Sequence, residues 1–446
     1  MTKRILFWNI ENFGLNKIND PGQGRQPGTI TTRAIASNAR LLHIMSNIVA
    51  AAPDIFVVVE IETGYDAPGR LVRGAGRTGA ITLLNAIRVA TGNVNWMLVP
   101  PLQTGPNEGV AVYYDSTNLI FTGPHIWPGG AGATAQPAGG MSGAYPPALT
   151  AVVGARNVPA NALQNVGVAE NQCAARVDFT YNANNVANAG NAIPYVGRAP
   201  YMVTFAEMNA AMPPVVTRNI TIFAVHSPAS NPAAGNYLQE LADTAEITAA
   251  NAPNEVRVVA GDFNVNLMTA ALVQNGNYAP MQAGLAAYTL ALAPVAPAPA
   301  LPANGYIGYF ATHIKRRRSA VYWSTNNLTT YYPGYGYIGS DRIVNFIAID
   351  NIFTRYAGGM AIPAPNNFTI INPFSGSPFN LNGPPVGGAP PGTVAYAPVL
   401  APAMMFNPPP ALAPAFSIQR RQIFYNWTNY GYVRSTSDHL ALMMDI

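Results

Sequence analysis

The chain has 446 residues, only 10% of which are charged, and its formal net charge at pH 7 is +4. Gly and Pro contribute 40 residues each, above their ordinary usage, which predicts that much of the chain forms loops. The single cysteine, Cys173, excludes an intrachain disulfide, and no apolar run approaches the ~18 residues of a membrane span, so the sequence predicts a soluble protein without transmembrane segments.

The first predicted element is the strand-like run RILFWNI, which breaks into polar residues at Asn9 and Glu11. Lys3 and Arg4 before the apolar residues are typical of the start of a secretory signal, but the apolar part ends at Asn9 and no small-residue cleavage site follows. The sequence therefore predicts no signal peptide. It leaves the location open between the cytoplasm and export by a signal-independent route, and it leaves the oligomeric state open.

Eight further segments rich in β-branched and aromatic residues predict strands. In chain order they are DIFVVVEI, NWMLVP, GVAVYYD, APYMVTFAE, RNITIFAVH, EVRVVAGDF, NFIAIDNIF and HLALMMDI. Helical periodicity is found from Arg33 to Ala51 and from Tyr237 to Ala250. Strands that are apolar on both faces and alternate with helices indicate a layered α/β sandwich.

Three stretches rich in Ala, Pro, Gly and Asn interrupt this pattern, at residues 126–196, 276–305 and 357–416. Their periodicity is weak, and none shows a repeat unit. We interpret them as loop insertions in a single domain that spans residues 1–446.

Polar residues interrupt the apolar pattern at the same end of one predicted strand after another. We call these interruptions polar breaks. They involve Asn9 and Glu11, Glu60, His226, Asp262 and Asn264, Asp350, and Asp438 and His439. Each break alone is typical of a solvated strand end. Together, carboxylates, amides and imidazoles at one sheet edge are suited to a hard divalent cation, to general acid–base chemistry, or to both.

These motifs resemble, in their order, those of the endonuclease/exonuclease/phosphatase superfamily, which has the deoxyribonuclease-I-like fold. The matching pieces are WNIE, PDIFVVVE, RAPYMVTF, FAVHS, VVAGDFN, IDNIF and the terminal SDH, and they cover most of the chain outside the three insertions. The resemblance implies a four-layered α/β sandwich, in which two packed β-sheets are flanked by helices. It also implies hydrolysis of phosphoester bonds with Mg²⁺ or Mn²⁺.

The resemblance further implies a set of metal ligands. Glu60 is expected to be the principal ligand, with Asn9 beside it and with Glu11 and Asp438 near the metal. Glu62 lies two residues beyond Glu60 and can share its face of the strand, so the sequence leaves Glu62 open as an alternative ligand.

The remaining site residues are expected to act on water and phosphate. Asp262 and Asn264 resemble the pair that orients or deprotonates the attacking water, and His226 resembles the histidine that donates a hydrogen bond or proton to phosphate oxygens. His439 is expected to be held by Asp350, which would fix its tautomer. The sequence does not decide whether Asp262 or His439 takes the proton from water.

The motif around Asp350 departs from the family pattern. Ala348 stands where relatives often have an arginine before Ile-Asp. Arg342, in the preceding SDRIVNF, offers an alternative reading of the motif, so the assignment of Asp350 as the partner of His439 stays open at this stage.

Substrate class is predicted from charge and aromatic content. The sequence pI is about 9.0, and the run HIKRRR contains Arg316, Arg317 and Arg318, which could contact phosphates. The stretch YYPGYGY at residues 331–337 could stack bases. We therefore favour a nuclease acting on DNA, with RNA open and with endonucleolytic and exonucleolytic cleavage undecided. The alternatives are a phosphomonoesterase, a lipid phosphodiesterase, and a catalytically silent binding protein.

Overall fold

The structure is a computed structural model that describes the parts of the chain around the predicted strands and helices. The described residues are 2–19, 30–64, 68–69, 72–123, 177–195, 197–209, 216–230, 232–267, 269, 273–293, 312–313, 348–361, 368–371, 379–380 and 436–446.

Thirteen strands lie within these residues. In chain order they are β1 (Arg4–Phe13), β2 (Ile55–Glu62), β3 (Trp96–Gly105), β4 (Glu108–Asp115), β5 (Leu119–Gly123), β6 (Tyr201–Met208), β7 (Val216–His226), β8 (Glu255–Asp262), β9 (Thr289–Leu290), β10 (Asp350–Tyr356), β11 (Phe368–Ile371), β12 (Phe379–Asn380) and β13 (Ala441–Asp445). All nine segments that the sequence predicts as strands are found among them.

The strands form two mixed sheets. The first has the order β12-β11-β13-β1-β2-β4-β3, and the second has the order β5-β6-β7-β8-β10-β9. Only β1 with β2 and β7 with β8 pair in parallel, and the other strand pairs are antiparallel. Each sheet therefore has one pair of strands whose carboxyl ends lie at the same edge.

Helices flank the sheets. They are α1 (Leu15–Ile18), α2 (Ile30–Ala51), α3 (Gly74–Thr91), α4 (Ala233–Ala242), α5 (Ala245–Thr248) and α6 (Ala279–Gln282), with a 3₁₀ turn at Gly276–Tyr278. The helix predicted over residues 237–250 is divided between α4 and α5, because the chain leaves the helix at Asp243 and Thr244. None of the described helices is long and apolar enough to cross a membrane.

Alternate side chains of β1 enter two different layers of the core. Ile5 and Phe7 belong to the apolar cluster that includes residues of both sheets, whereas Leu6 and Trp8 pack with α2 and α3 on the outer face of the first sheet. The same alternation continues to Asn9, whose side chain thus points toward the second sheet. These layers confirm the α/β sandwich that the sequence predicts.

The helix α3 was not predicted from the sequence, because its glycine-rich beginning, GAGRTG, is typical of a loop. The glycines serve close packing instead. A Cβ at Gly76 would lie 1.7 Å from the carbonyl oxygen of Glu62, and one at Gly79 would lie 2.7 Å from the backbone of Gly14. The helix can therefore approach the end of β2 only without side chains at these positions.

Parts of the predicted insertions belong to the sandwich. Strand β9, within residues 276–305, pairs with β10, and strand β11, within residues 357–416, pairs with β13. In the described part of the first insertion, Phe179 is buried in the core. These segments lie at the margins of the sandwich. Their hydrophobic periodicity is too weak for the sequence to predict their strands.

Candidate active site

The two parallel strand pairs bring the predicted site residues to one edge of the sandwich. Asn9 and Glu60 lie toward the carboxyl ends of β1 and β2, and His226 and Asp262 end β7 and β8, in register with each other. The antiparallel strand β10 begins at the same edge, where Asp350 pairs with Asp262. Strand β13 also begins there, two residues after His439, because it is antiparallel to β1.

Asn9 lies at the centre of this group. Its Nδ2 donates to Glu60 Oε1 at 3.0 Å and to Asp262 Oδ2 at 3.2 Å, and it lies 3.3 Å from His439 Nε2. The side chain is completely buried, and its Oδ1 has no hydrogen-bond partner among the described residues. One amide therefore connects groups from both sheets, and the described residues supply no partner for its oxygen.

Glu60 reaches Asn9 because of a bulge in β2. Strict alternation after Val58 and Val59 would direct Glu60 toward the helices, but its φ is +62° and the pairing of β2 with both neighbouring strands shifts at this point. Burial alone would raise the pKa of Glu60, but the facing His226 and the hydrogen bonds from Asn9 and from the Asn12 backbone N–H lower the pKa below its ordinary value. Glu60 is therefore ionised at neutral pH.

His226 lies between three carboxylates. Its Nε2 is 3.4 Å from Glu60 Oε1 and from Asp262 Oδ2, and its Nδ1 is 3.1 Å from Glu108 Oε2. Glu108 also forms an ion pair with Arg198, whose Nη1 donates to the Ser227 carbonyl at 2.9 Å. Burial lowers the pKa of His226 below its ordinary value, although Asp262 and Glu60 oppose this shift.

Asp262 and Asn264 form a second pair at the end of β8. The backbone N–H of Asn264 donates to Asp262 Oδ1 at 2.9 Å, and Asn264 Nδ2 donates to the Ser227 carbonyl at 2.9 Å. The φ of Asn264 is +50°, a conformation that asparagine tolerates better than most residues. Asp262 is thus held with one oxygen bound to the backbone and the other facing Asn9.

Asp350 holds His439. Both carboxylate oxygens of Asp350 lie 2.9 Å from His439 Nδ1, and Thr312 Oγ1 donates to Asp350 Oδ2 at 2.7 Å. Burial alone would lower the pKa of His439, but the carboxylates of Asp350 and Asp262 raise it well above its ordinary value. The backbone of His439 is fixed as well, because its carbonyl accepts from Trp8 Nε1 at 2.9 Å.

Asp438 and Glu11 lie at the margin of this group. Asp438 Oδ2 is 3.4 Å from His313 Nε2, and its Oδ1 is 3.7 Å from His439 Nε2. Glu11 accepts a hydrogen bond from Lys17 Nζ through its backbone carbonyl. Burial lowers the pKa of Lys17 to about 8, although the charges of Glu11, Glu60 and Asp438 oppose this shift. The carboxylates of Glu11 and Asp438 therefore lie near enough to the Lys17 ammonium to act on its charge.

Glu62 points away from the group. Its side chain is exposed, and its Oε2 lies so near Gly14 that a Cβ there would approach it to 2.5 Å. Arg316, Arg317, Arg318, the stretch 331–337 and Arg342 lie outside the described residues. The structure thus brings Asn9, Glu60 and the residues of the second sheet together without Glu62.

Sequence reasoning missed four residues of the site, namely Glu108, Arg198, Thr312 and His313. Glu108 and Arg198 directly precede the predicted strands GVAVYYD and APYMVTFAE, at the same edge as the predicted polar breaks. The site residues were predicted mainly from polar residues at the carboxyl ends of strands. Antiparallel strands, however, place their amino ends at the same edge. Searching both strand ends would have found Glu108 and Arg198.

The donor set fits a hard divalent cation. The buried Oδ1 of Asn9 and the ionised carboxylate of Glu60 are oxygen ligands of the kind that Mg²⁺ and Mn²⁺ bind. Among the described residues, carboxylates and imidazoles with donor atoms within 4.8 Å of one another form three groups: Glu60 with Glu108 and His226, Asp262 with Asp350 and His439, and His313 with Asp438 and His439.

No protein-family model matches the sequence, and no curated protein matches it. Solved structures that match include TDP2 of D. rerio complexed with a single-strand DNA product, at 9% identity over 100% of this chain and 98% of that chain, with a TM-score of 0.40. The human nocturnin catalytic domain with bound sulfate matches at 10% identity over 100% and 93%, with a TM-score of 0.38. A mannosyl-6-phosphatase of Bacteroides thetaiotaomicron matches at 10% identity over 100% and 99%, with a TM-score of 0.35. These scores establish neither activity nor substrate.

Proposed function

We propose that the chain is a divalent-metal-dependent phosphodiesterase of the endonuclease/exonuclease/phosphatase type, and that it cuts DNA. One observation carries this proposal, namely the buried amide of Asn9, which lies within 3.3 Å of Glu60, Asp262 and His439. A carboxylate ligand, a water-activating carboxylate and an imidazole around one point are what hydrolysis of a charged ester requires.

Glu60 and Asn9 would hold the ion, Mg²⁺ or Mn²⁺. Rotation of the Asn9 amide by half a turn would bring its unpartnered Oδ1 beside the Glu60 carboxylate. When bound, the ion supplies positive charge that neutralises the phosphate and the leaving oxygen. The ionised state of Glu60 and the buried oxygen of Asn9 support this assignment.

In this proposal, Asp262 accepts the proton of the attacking water and His439 donates a hydrogen bond to the phosphate. The raised pKa of His439 favours the imidazolium, which cannot act as a base, whereas Asp262 offers a carboxylate already oriented by the Asn264 N–H. Asp350 stabilises the positive charge of His439 and fixes the orientation of its ring.

Arg198 and His226 would bind the phosphate from the side of the second sheet. Arg198 supplies a fixed positive charge, which Glu108 and the Ser227 carbonyl orient. The lowered pKa of His226 favours the neutral ring, which can donate from one nitrogen only.

The choice of DNA is supported by the sequence. The positive net charge and the run KRRR at residues 315–318 favour a polyanionic substrate over a small ester. The aromatic stretch 331–337 adds groups that stack on bases.

The test is nicking of supercoiled plasmid with Mg²⁺, with Mn²⁺ and with EDTA, using Glu60→Gln and Glu62→Gln as a matched pair. We expect metal-dependent nicking that falls by at least about 100-fold in Glu60→Gln, because the charge stabilisation from a bound ion is worth several kcal/mol. Glu62→Gln removes an exposed carboxylate two residues away and should nick like the wild type.

A parallel panel contains single-stranded RNA, sphingomyelin, a phosphoinositide and a phosphomonoester. Hydrolysis of one of these, with plasmid left intact, would overturn the choice of DNA but retain the phosphoesterase. Failure to hydrolyse any substrate with either metal would overturn the proposal as a whole and favour a binding protein.

A further inference from the structure

We propose that His313, Asp438 and His439 form a second metal site, selective for a transition-metal ion that binds imidazole, such as Zn²⁺, and that occupation of this site inhibits hydrolysis. The site lies at the outer margin of the candidate active site. It differs from the Glu60 and Asn9 site in its ligand chemistry, since two of its three donors are nitrogens.

The distances among these donors fit ligands of one ion better than they fit hydrogen bonds. His313 Nε2 lies 3.4 Å from Asp438 Oδ2, and His439 Nε2 lies 3.7 Å from Asp438 Oδ1. The donor–acceptor distance of a hydrogen bond between nitrogen and oxygen is usually at most roughly 3.2 Å. Two ligands on a tetrahedral ion with bonds of roughly 2.1 Å are about 3.4 Å apart.

His439 is already arranged as a metal-binding histidine. Its Nδ1 faces the carboxylate of Asp350 at 2.9 Å, so that the other nitrogen, Nε2, is the one left to bind a ligand. A carboxylate behind the ligating imidazole is the usual support of histidine ligands in zinc sites. Zn²⁺ binding displaces the Nε2 proton, as metal binding to histidine does generally.

His313 is held beside His439 by the backbone. Residues 312 and 313 form an antiparallel bridge with the segment at His439, and the Leu440 N–H donates to the Thr312 carbonyl at 2.7 Å. The two imidazole rings meet edge to face, with centroids 4.7 Å apart. Nδ1 of His313 is buried and has no hydrogen-bond partner among the described residues, so packing and Asp438 orient this ring.

Binding at this site would inhibit because it uses the nitrogen that the reaction needs. His439 Nε2 faces Asn9 and Asp262, and in the proposed function it donates to the phosphate. An ion on Nε2 removes that donor. The inhibition therefore rests on the proposed function, whereas the binding of Zn²⁺ does not.

The direct test is calorimetric titration of the metal-free full chain with Zn²⁺ in the presence of saturating Mg²⁺, which occupies oxygen-ligand sites. We expect His313→Ala to weaken the strongest Zn²⁺ site by at least about tenfold, the lower end of the effect of losing a supporting contact in a metal site. His43→Phe removes another histidine, which packs on Trp8 away from these donors, and serves as the matched control, with unchanged affinity expected.

Co²⁺ provides a second readout. A tetrahedral Co²⁺ site absorbs strongly in the visible range, and we expect this absorption in the wild type and in His43→Phe but not in His313→Ala. Circular dichroism and the melting temperature verify that each variant is folded. If His313→Ala does not fold, Asp438→Asn, which preserves the shape of the side chain, takes its place with the same expected loss.

The activity test compares plasmid nicking with Mg²⁺ as Zn²⁺ is added. We expect Zn²⁺ to inhibit the wild type at a concentration at least about tenfold lower than it inhibits His313→Ala. Equal Zn²⁺ affinity of the wild type and His313→Ala would overturn the site. Zn²⁺ binding that depends on His313 in a chain without hydrolytic activity would retain the site and overturn the proposed function instead.

Discussion

Acidification should destabilise the fold through His43, a buried histidine of α2. Its ring packs edge to face on Trp8 with centroids 5.6 Å apart, and its Nε2 lies 3.3 Å from Asn47 Nδ2. Burial lowers the pKa of His43 from 6.5 to about 3. The folded protein therefore keeps this imidazole neutral at a pH where the unfolded chain has already protonated it.

The sign and size of the effect follow from linkage. Because the folded pKa is the lower one, the stabilisation is fully present above pH 6.5 and is lost progressively as the pH falls toward 3. Each pH unit in this window costs about 1.4 kcal/mol, and the change from pH 7 to pH 5 costs about 2 kcal/mol of unfolding free energy.

The measurement is urea unfolding of the wild type and of His43→Phe at pH 7 and pH 5. The phenylalanine keeps an aromatic ring against Trp8 but has no proton to bind. We expect the wild type to lose about 2 kcal/mol more than the variant between the two pH values. Losses that agree within about 0.5 kcal/mol, close to the error of extrapolation, would refute the assignment of a neutral buried imidazole.

Three further substitutions test the site and its support. Asp350→Asn should lower kcat about 10²–10⁴-fold, because His439 loses the charge that orients it, and a kcat within twofold of the wild type would contradict this role. Arg198→Met should raise KM for plasmid at low salt and reduce the salt dependence of KM, and an unchanged salt dependence would exclude Arg198 from phosphate binding. Gly76→Ala should cost about 1–3 kcal/mol of unfolding free energy through overpacking, whereas Gly64→Ala, where a Cβ meets nothing within 4 Å, should be nearly neutral in the same urea titration.

Sequence patterns predicted the strands well because these strands are apolar on both faces and end in polar residues. RILFWNI and EVRVVAGDF each carry several β-branched or aromatic residues close together, which favours a strand over a loop. Helix α3 was not predicted, because in sequence the glycines that allow its close packing resemble the glycines of a loop. Local composition does not distinguish these two uses of glycine.

The site was predicted in outline, and its geometry depends on features that a sequence does not display. Nothing in DIFVVVEI marks a bulge, yet without the positive φ of Glu60 the alternation of β2 would direct this carboxylate toward the helices. Glu62, which the sequence left open as an alternative, is exposed and lies beside Gly14, outside the group. The pairing of Thr312 and His313 with the segment at His439 is a long-range contact, and periodicity carries no signal for it.

The pairing of β1 with β13 has a consequence for biosynthesis. Asn9 is synthesised more than four hundred residues before His439. A nascent or truncated chain that stops before this histidine contains Asn9 and Glu60 but lacks the imidazole that lies beside Asn9 in the folded protein. Under the proposed function such a chain would be inactive, and a split protein whose two pieces meet at this strand pair would report their association by regaining activity.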